Sequence, residues 1–230
     1  MGDNDKRREL AREVANLFFA AEQKGFEHQQ VDEFGNIMCR LLDNLDVGER
    51  VDLSARMAET ERAPRVLAVK LANDEIEVAT PMIEQSTVLT EDDLVAIADS
   101  KGTSHRVAVS RRENLTAKIT DTLISHEESE VMRTVAENRT AEISEGGFST
   151  LARHSTDDNE LLTALVTRAD VPEEHSRQLL PLLNEEQRAK VVSIVSSNGG
   201  SALRELASEA KTRSSTSKIE AGKQRIEGKS

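Results

Sequence analysis

The chain has 230 residues, 42 acidic against 30 basic side chains, a formal net charge of −12, five Phe and no Trp or Tyr. The negative surplus repels polyanions, and the missing large rings remove the platforms on which single-strand binders stack bases, so nucleic acid is not an expected partner. Cys39 is the single cysteine, which excludes a disulfide framework or thiolate metal cage and suits a reducing compartment; the expected location is the cytoplasm. No apolar run approaches the roughly 20 residues that span a bilayer, and the chain opens on charges, so no membrane insertion or signal peptide is expected.

From Arg7 to Lys24, Leu10, Val14, Leu17, Phe18 and Ala21 fall on one helical face, and after Gly25 a second helix carries Val31, Phe34, Met38, Leu41 and Leu45. Residues 1–46 therefore read as an N-terminal helical hairpin. Its regular second seam could pack on the first helix or on another copy of the chain, as a homodimer. Helices are expected over Glu49 to Glu59 and from Pro64 onward. Pro81 implies a kink or an irregular first turn in the helix that begins near Asp74.

Between Ile76 and Leu183 one signal recurs: an apolar residue, then a hydroxyl or proline, then an apolar residue eight positions past the first. Leu89-Thr90, Leu115-Thr116, Ile143-Ser144 and Val171-Pro172 open the copies, at steps of 26, 28 and 28 residues. Each is a helix start, with the hydroxyl as N-cap and the preceding apolar residue stapled to the fourth helical position. Apolar segments precede them at Val78 to Ile83, Val107 to Val109, Val131 to Val135 and Leu161 to Val166, so each repeat reads as two short antiparallel helices. Such pairs cannot bury their own apolar stripes and must stack. The expected fold is all-α, a right-handed α-solenoid of antiparallel helix pairs over residues 47–197.

Asn184 and Gln187 offer a further capping box. A short helix is expected over 198–212 and a disordered basic tail over 213–230; from Lys211 onward six Lys and Arg stand against two Glu.

No catalytic signature emerges. The five histidines, His28, His105, His126, His154 and His175, show no metal-ligand spacing and read as scattered surface residues; no phosphate-cradling glycine motif occurs, and no cofactor or metal is expected. Gly146-Gly147 reads as a close-packing point at a helix start. A polar row stands at one repeat phase: Arg112 with Asn114, Asn138 with Arg139, and Arg168 with Asp170. It reads either as a ladder in which these side chains satisfy helix C-terminal carbonyls and bond across turns, or as a partner-binding strip. The strip would comprise His105, Arg106, Arg111, Arg112, Asn138, Arg139 and Arg168 and suit a carboxylate-rich or phosphorylated protein segment. Function is thus expected to be a non-catalytic protein–protein interaction module or scaffold. The alternative is a helical-repeat enzyme or nucleic-acid handler with a cationic groove.

The segments Leu71-Ala-Asn-Asp74, Glu77-Val-Ala-Thr-Pro-Met-Ile-Glu-Gln-Ser86, Leu89-Thr-Glu-Asp-Asp-Leu94, His105-Arg106, Arg112-Glu-Asn-Leu115, Ala136-Glu-Asn138, Ile143-Ser144 and Arg168-Ala-Asp-Val-Pro172 together resemble the bacterial domain-of-unknown-function family number 2336. The resemblance covers about Asp32 to Pro172. It implies a helical-repeat fold akin to the HEAT and leucine-rich-variant solenoids and supplies no activity.

Overall fold

The computed structural model describes residues 3–22 and 28–188, and every regular element among them is helical. The order is α1 (Asp3–Glu22), α2 (His28–Leu41), a 3-10 turn (Leu42–Asn44), α3 (Val47–Ala58), α4 (Arg65–Ala72), α5 (Ile76–Gln85) and α6 (Glu91–Ser100). There follow α7 (Thr103–Ser110), α8 (Ala117–Ser125), α9 (Ser129–Glu137), α10 (Glu145–His154), α11 (Asn159–Val166), α12 (Glu173–Leu179) and a 3-10 turn (Leu180–Leu182). The segments expected as a helix over 198–212 and a tail over 213–230 lie outside the described residues.

The helix starts follow from local chemistry. Thr90 and Asp93 form a reciprocal box in which the hydroxyl accepts the Asp93 amide and the carboxylate accepts the Thr90 amide at 2.9 Å. Asp46 and Glu49 do the same for α3, and Asn184 and Gln187 exchange bonds of 2.8 and 2.9 Å. Ser144 accepts the Gly147 amide at 2.9 Å. Each box satisfies orphan donors of the first turn. Thr116 differs: it occupies the N-cap position but makes no cap bond, and its hydroxyl donates instead to Glu91 at 2.6 Å, one repeat away. Pro64 and Pro172 both sit in the N-cap position. Pro81 lies in the interior of α5, not in its first turn.

The chain divides into two compact units, Met1–Glu142 and Ile143–Ser230, with the boundary inside the expected 47–197 array. In the first unit α3 packs on α5, α5 on α7 and α7 on α9, while α2 packs on α4 and α6 on α8. Each such contact skips one helix, so alternate helices form two layers. The close hairpins are α4 with α5, α6 with α7 and α8 with α9. This shifts the expected pairing by one helix, because two residues separate α6 from α7 and three separate α8 from α9, whereas longer connections precede each hydroxyl-signalled helix. Short loops force neighbouring helices together. Between the layers lie Leu67, Leu71, Val78, Met82, Ile83, Ile97, Leu123, Val131 and Val135, all essentially fully buried. Aliphatic side chains and small alanines thus replace the aromatics this sequence lacks.

The N-terminal helix is oriented differently from the expected leucine face. Its buried stripe is Ala11, Ala15 and Phe18, while Leu10 and Leu17 are 48% and 68% exposed. Phe18 stacks on Phe34 of α2, with ring centroids 4.1 Å apart, and the two alanines let the backbones approach. The leucines sit about a hundred degrees round the helix from this stripe, since each residue advances by that angle.

In the second unit α10, α11 and α12 pack on one another. Phe148, Leu151, Leu161, Leu165 and Leu179 are buried there, together with the whole side chain of Arg168.

Candidate functional site

Polar chemistry in the first unit concentrates at the helix ends. The guanidinium of Arg112, just past α7, donates to the Ile83 carbonyl and, at 2.9 Å, to the Ser86 carbonyl, both at the end of α5. Asn138, at the end of α9, donates through Nδ2 to Ser110 O at 2.9 Å and Arg112 O at 2.6 Å, at the end of α7. On the other layer Lys101, at the end of α6, reaches Asn73 O at 2.6 Å, and Lys70 of α4 reaches Cys39 O at 2.6 Å. Every one of these donors comes from one repeat further along the chain than its acceptor. The last carbonyls of a helix have no partner within it, so each repeat closes the end of the one before.

The helix starts are linked at the same spacing. Arg65 opens α4 and grips Asp93 at 2.7 Å, while Lys118 on α8 meets Asp92 at 2.7 Å and Glu91 at 3.3 Å. Arg8 and Arg12 of α1 pair with the Asp46–Glu49 capping box. Hydrogen bonds from Thr116 and Lys118 hold Glu91 below the ordinary carboxylate range, and the Asp92 and Glu91 partners raise Lys118. At Asp93 burial works upward but is outweighed by the Thr90 and Arg65 bonds, so its value is lowered. Burial alone lowers Arg112, which stays cationic because guanidinium does not deprotonate in proteins.

The seven residues of the expected strip differ in exposure and in what they bond. Arg112 and Asn138 are engaged with backbone carbonyls, as described. Arg106 is buried, with Nε on Ala98 O at 2.8 Å and Nη1 on Glu128 at 2.9 Å. His105 is half-buried, and its Nε2 lies 3.0 Å from Asp74 O, which requires the proton on that nitrogen. Arg111 is exposed and stands 3.5 Å from Glu84. Arg139 is exposed. In the second unit Arg168 is 1% exposed and holds Asp170 through two bonds of 2.8 and 2.6 Å. Of the seven strip residues only Arg111 and Arg139 are exposed. Four histidines, His105, His126, His154 and His175, are half-buried, which corrects the expected surface scatter.

A cleft of about 460 Å³ opens in the second unit. Glu145, Ser149 and Arg153 line it from α10, opposed by Glu174, His175 and Gln178 of α12, with Leu182 at the rim. Ser149 Oγ lies 3.1 Å from His175 Nε2, and His175 Nδ1 is buried without a hydrogen-bond partner. Activating a serine requires a base whose second nitrogen is held by an orienting group; none serves His175 among the described residues. Ser149 Oγ also donates to Glu145 O at 2.9 Å, so its contact with His175 joins α10 to α12. Among the described residues no cluster of three metal-ligating side chains occurs, and no helix is long and apolar enough to cross a membrane.

Sequence reasoning missed Lys70, Lys101, Arg65 and Lys118, which couple the repeats as Arg112 does. Lys101 and Asn73 are 28 residues apart, so the repeat step was the signal that could have found them.

These features define an all-helical protein whose alternate helices stack and whose helix ends are closed by side chains from the following repeat. Residues 78–228 match the family described as "Uncharacterised protein conserved in bacteria (DUF2336)", and the chain belongs to that family. The match starts inside α5 and runs through the basic C-terminal segment, later at both ends than the resemblance traced from Asp32 to Pro172. No curated protein and no solved structure matches the chain.

Proposed function

We propose that this protein is a non-catalytic protein–protein interaction module of the cytoplasm, its stacked helices being a right-handed, HEAT-like α-solenoid that holds a segment of a protein partner. The α10–α12 cleft carries this reading. It is open, its lining carries both signs of charge, and among the described residues no third group completes the serine–histidine pair within it as an acyl-transfer site needs. Stacked-helix proteins bind through surfaces extended over several units, where a scaffold of locked helix ends keeps the face rigid.

The test is capture of the partner from the native cell by the full chain, repeated with Ala152→Arg, which fills the cleft. Under this reading the captured protein is lost while the thermal transition is unchanged. Identical capture by both chains removes the cleft from the binding surface, and a salt-sensitive gel shift with duplex DNA or RNA replaces the reading with nucleic-acid handling.

A further inference from the structure

In the first unit a cation ties the starts of α6 and α8. Lys118, the second residue of α8, pairs with Glu91 and Asp92, the first two residues of α6, at 3.3 and 2.7 Å. In the second unit α10 and α12 pack on each other as α6 and α8 do, but the matching positions differ in charge. Glu145 is the first residue of α10, and the second residue of α12, where α8 has its lysine, is Glu174. Two carboxylates thus stand where the earlier pair sets a carboxylate against an ammonium. Both line the cleft, each within about one turn of the Ser149–His175 contact. Among the described residues neither side chain has a hydrogen-bond or ion-pair partner. The nearby cations are taken: Arg177 pairs with Glu173 at 2.6 Å, and Arg153 is already engaged. Ala152 and Leu179 add an apolar lining, and Leu182 at the rim is 48% exposed, the one large hydrophobic residue so exposed in the described part of this unit.

We infer that the cleft takes a lysine or arginine side chain of a protein partner with an aliphatic residue beside it, the cation meeting Glu145 and Glu174 and the aliphatic group meeting Leu182. This rests on the cleft being the binding surface and adds the chemistry of what enters it. Two unmatched carboxylates lining one cleft attract a cation and repel an acidic segment, so they set the sign of the partner more than its affinity. The partner supplies from outside the charge that Lys118 supplies within the chain. Because exposed ion pairs are individually weak, the apolar contact with Leu182 supplies part of the affinity.

Affinity selection of a random peptide library on the immobilised full chain tests this. Selected peptides should carry Lys or Arg next to Leu, Ile or Val. The net charge of −12 attracts basic peptides everywhere on the chain, so the decision falls to Glu145→Gln with Glu174→Gln. That double variant should bind the selected peptides about tenfold more weakly, as the loss of two ion pairs implies, with an unchanged circular-dichroism melt. Glu145→Lys with Glu174→Lys should turn the selection toward Asp and Glu. Basic peptides bound equally by the glutamine variant overturn the inference, and so does the selection of no peptide. Ala152→Arg separates it from the cleft reading. Acidic or uncharged peptides that bind the parent chain but not Ala152→Arg would keep the cleft as the binding surface and remove the cationic ligand, whereas peptides bound equally by both chains would remove the cleft itself. A chain that selects basic peptides only after Lys218→Glu and Arg225→Glu would overturn the outside partner, because its own Lys218-Ile219 and Arg225-Ile226 pairs then supply the ligand.

Discussion

Asn138 Nδ2 lies 2.6 Å from the carbonyl oxygen of Arg112, and Arg112 in turn reaches back to the carbonyls of Ile83 and Ser86. One side chain thus secures the turn that positions the next, and α5, α7 and α9 are chained through their ends. A half-buried guanidinium serving two carbonyls makes charge-assisted bonds that water replaces poorly, so Arg112→Ala should cost about 2–3 kcal/mol. Arg112→Lys should recover only part, because one ammonium cannot reproduce the planar fork. Arg111, adjacent in sequence but exposed with a 3.5 Å ion pair, is the internal control, and its alanine variant should shift stability by less than about 0.5 kcal/mol. Urea denaturation of the three variants checks the order; equal effects at 111 and 112 would remove the clamp.

Gly35 and Gly146 should respond to alanine in opposite directions. A Cβ at Gly35 would stand 2.5 Å from Pro64 Cβ and 2.9 Å from Val66 Cγ1. Neither atom is the far end of a flexible chain, so α2 and α4 must part, and Gly35→Ala should destabilise by about 1–3 kcal/mol. At Gly146 the nearest atom is Ser144 Oγ at 3.7 Å, so the expected close packing is not required there. Gly146→Ala should stabilise α10 by up to about 1 kcal/mol through lower backbone entropy in the unfolded chain. Melting temperatures of the two single variants are the measurement, and a loss at both would show that the α10 start tolerates no side chain.

The sequence disclosed the helix starts better than their partners. Thr90, Ser144 and Asn184 were legible because a cap is a local event: the residue and the amide it serves lie within one turn. Thr116 carried the same signal, yet its hydroxyl is taken by Glu91 across the repeat, a competition that local reasoning cannot see. Leu10 and Leu17 misled for a related reason. Apolar spacing identifies a stripe but does not say whether a neighbour covers it, and the alanine stripe beside it packs more closely. Gly35 gave no signal at all, since its need arises from Pro64 on another helix. The row at Arg112, Asn138 and Arg168 was found from its phase, whereas its bonds to backbone carbonyls required the structure.

The capping carboxylates make stability fall in acid. Asp93, Asp46, Glu49 and Glu91 are all held below their ordinary values. At Glu49 and Asp93 burial works the other way and is outweighed by hydrogen bonds from the backbone of the cap and from arginine. A group with a depressed folded value contributes stability that is complete above the unfolded value, about pH 4, and is lost as the pH falls through the folded value. The urea midpoint should therefore be flat from neutral pH to about 5 and decline below about 4. Asp93→Asn should lower the midpoint at neutral pH and make the acid decline shallower, because the amide cannot gain the proton. An unchanged acid slope in that variant would assign the loss to other carboxylates.

Arg168 decides between ladder and strip in the second unit. Its guanidinium is 1% exposed, grips Asp170 with two bonds of 2.8 and 2.6 Å and lies 6.0 Å from the Phe148 ring centroid. Asp170 is half exposed and stays solvated if the pair is broken, whereas the buried cation does not. Arg168→Ala should therefore remove about 3 kcal/mol or more through lost bonds and the void behind Phe148. Arg168→Glu should be worse, placing an anion beside Asp170 at a site water cannot reach. Asp170→Asn, which keeps one acceptor, should cost about 1 kcal/mol. Melting temperatures should fall most for Arg168→Glu, less for Arg168→Ala and least for Asp170→Asn, and partner capture should fall only as far as folding does. If Arg168→Glu instead melts like the parent chain and loses its partner, the side chain serves recognition and not the fold.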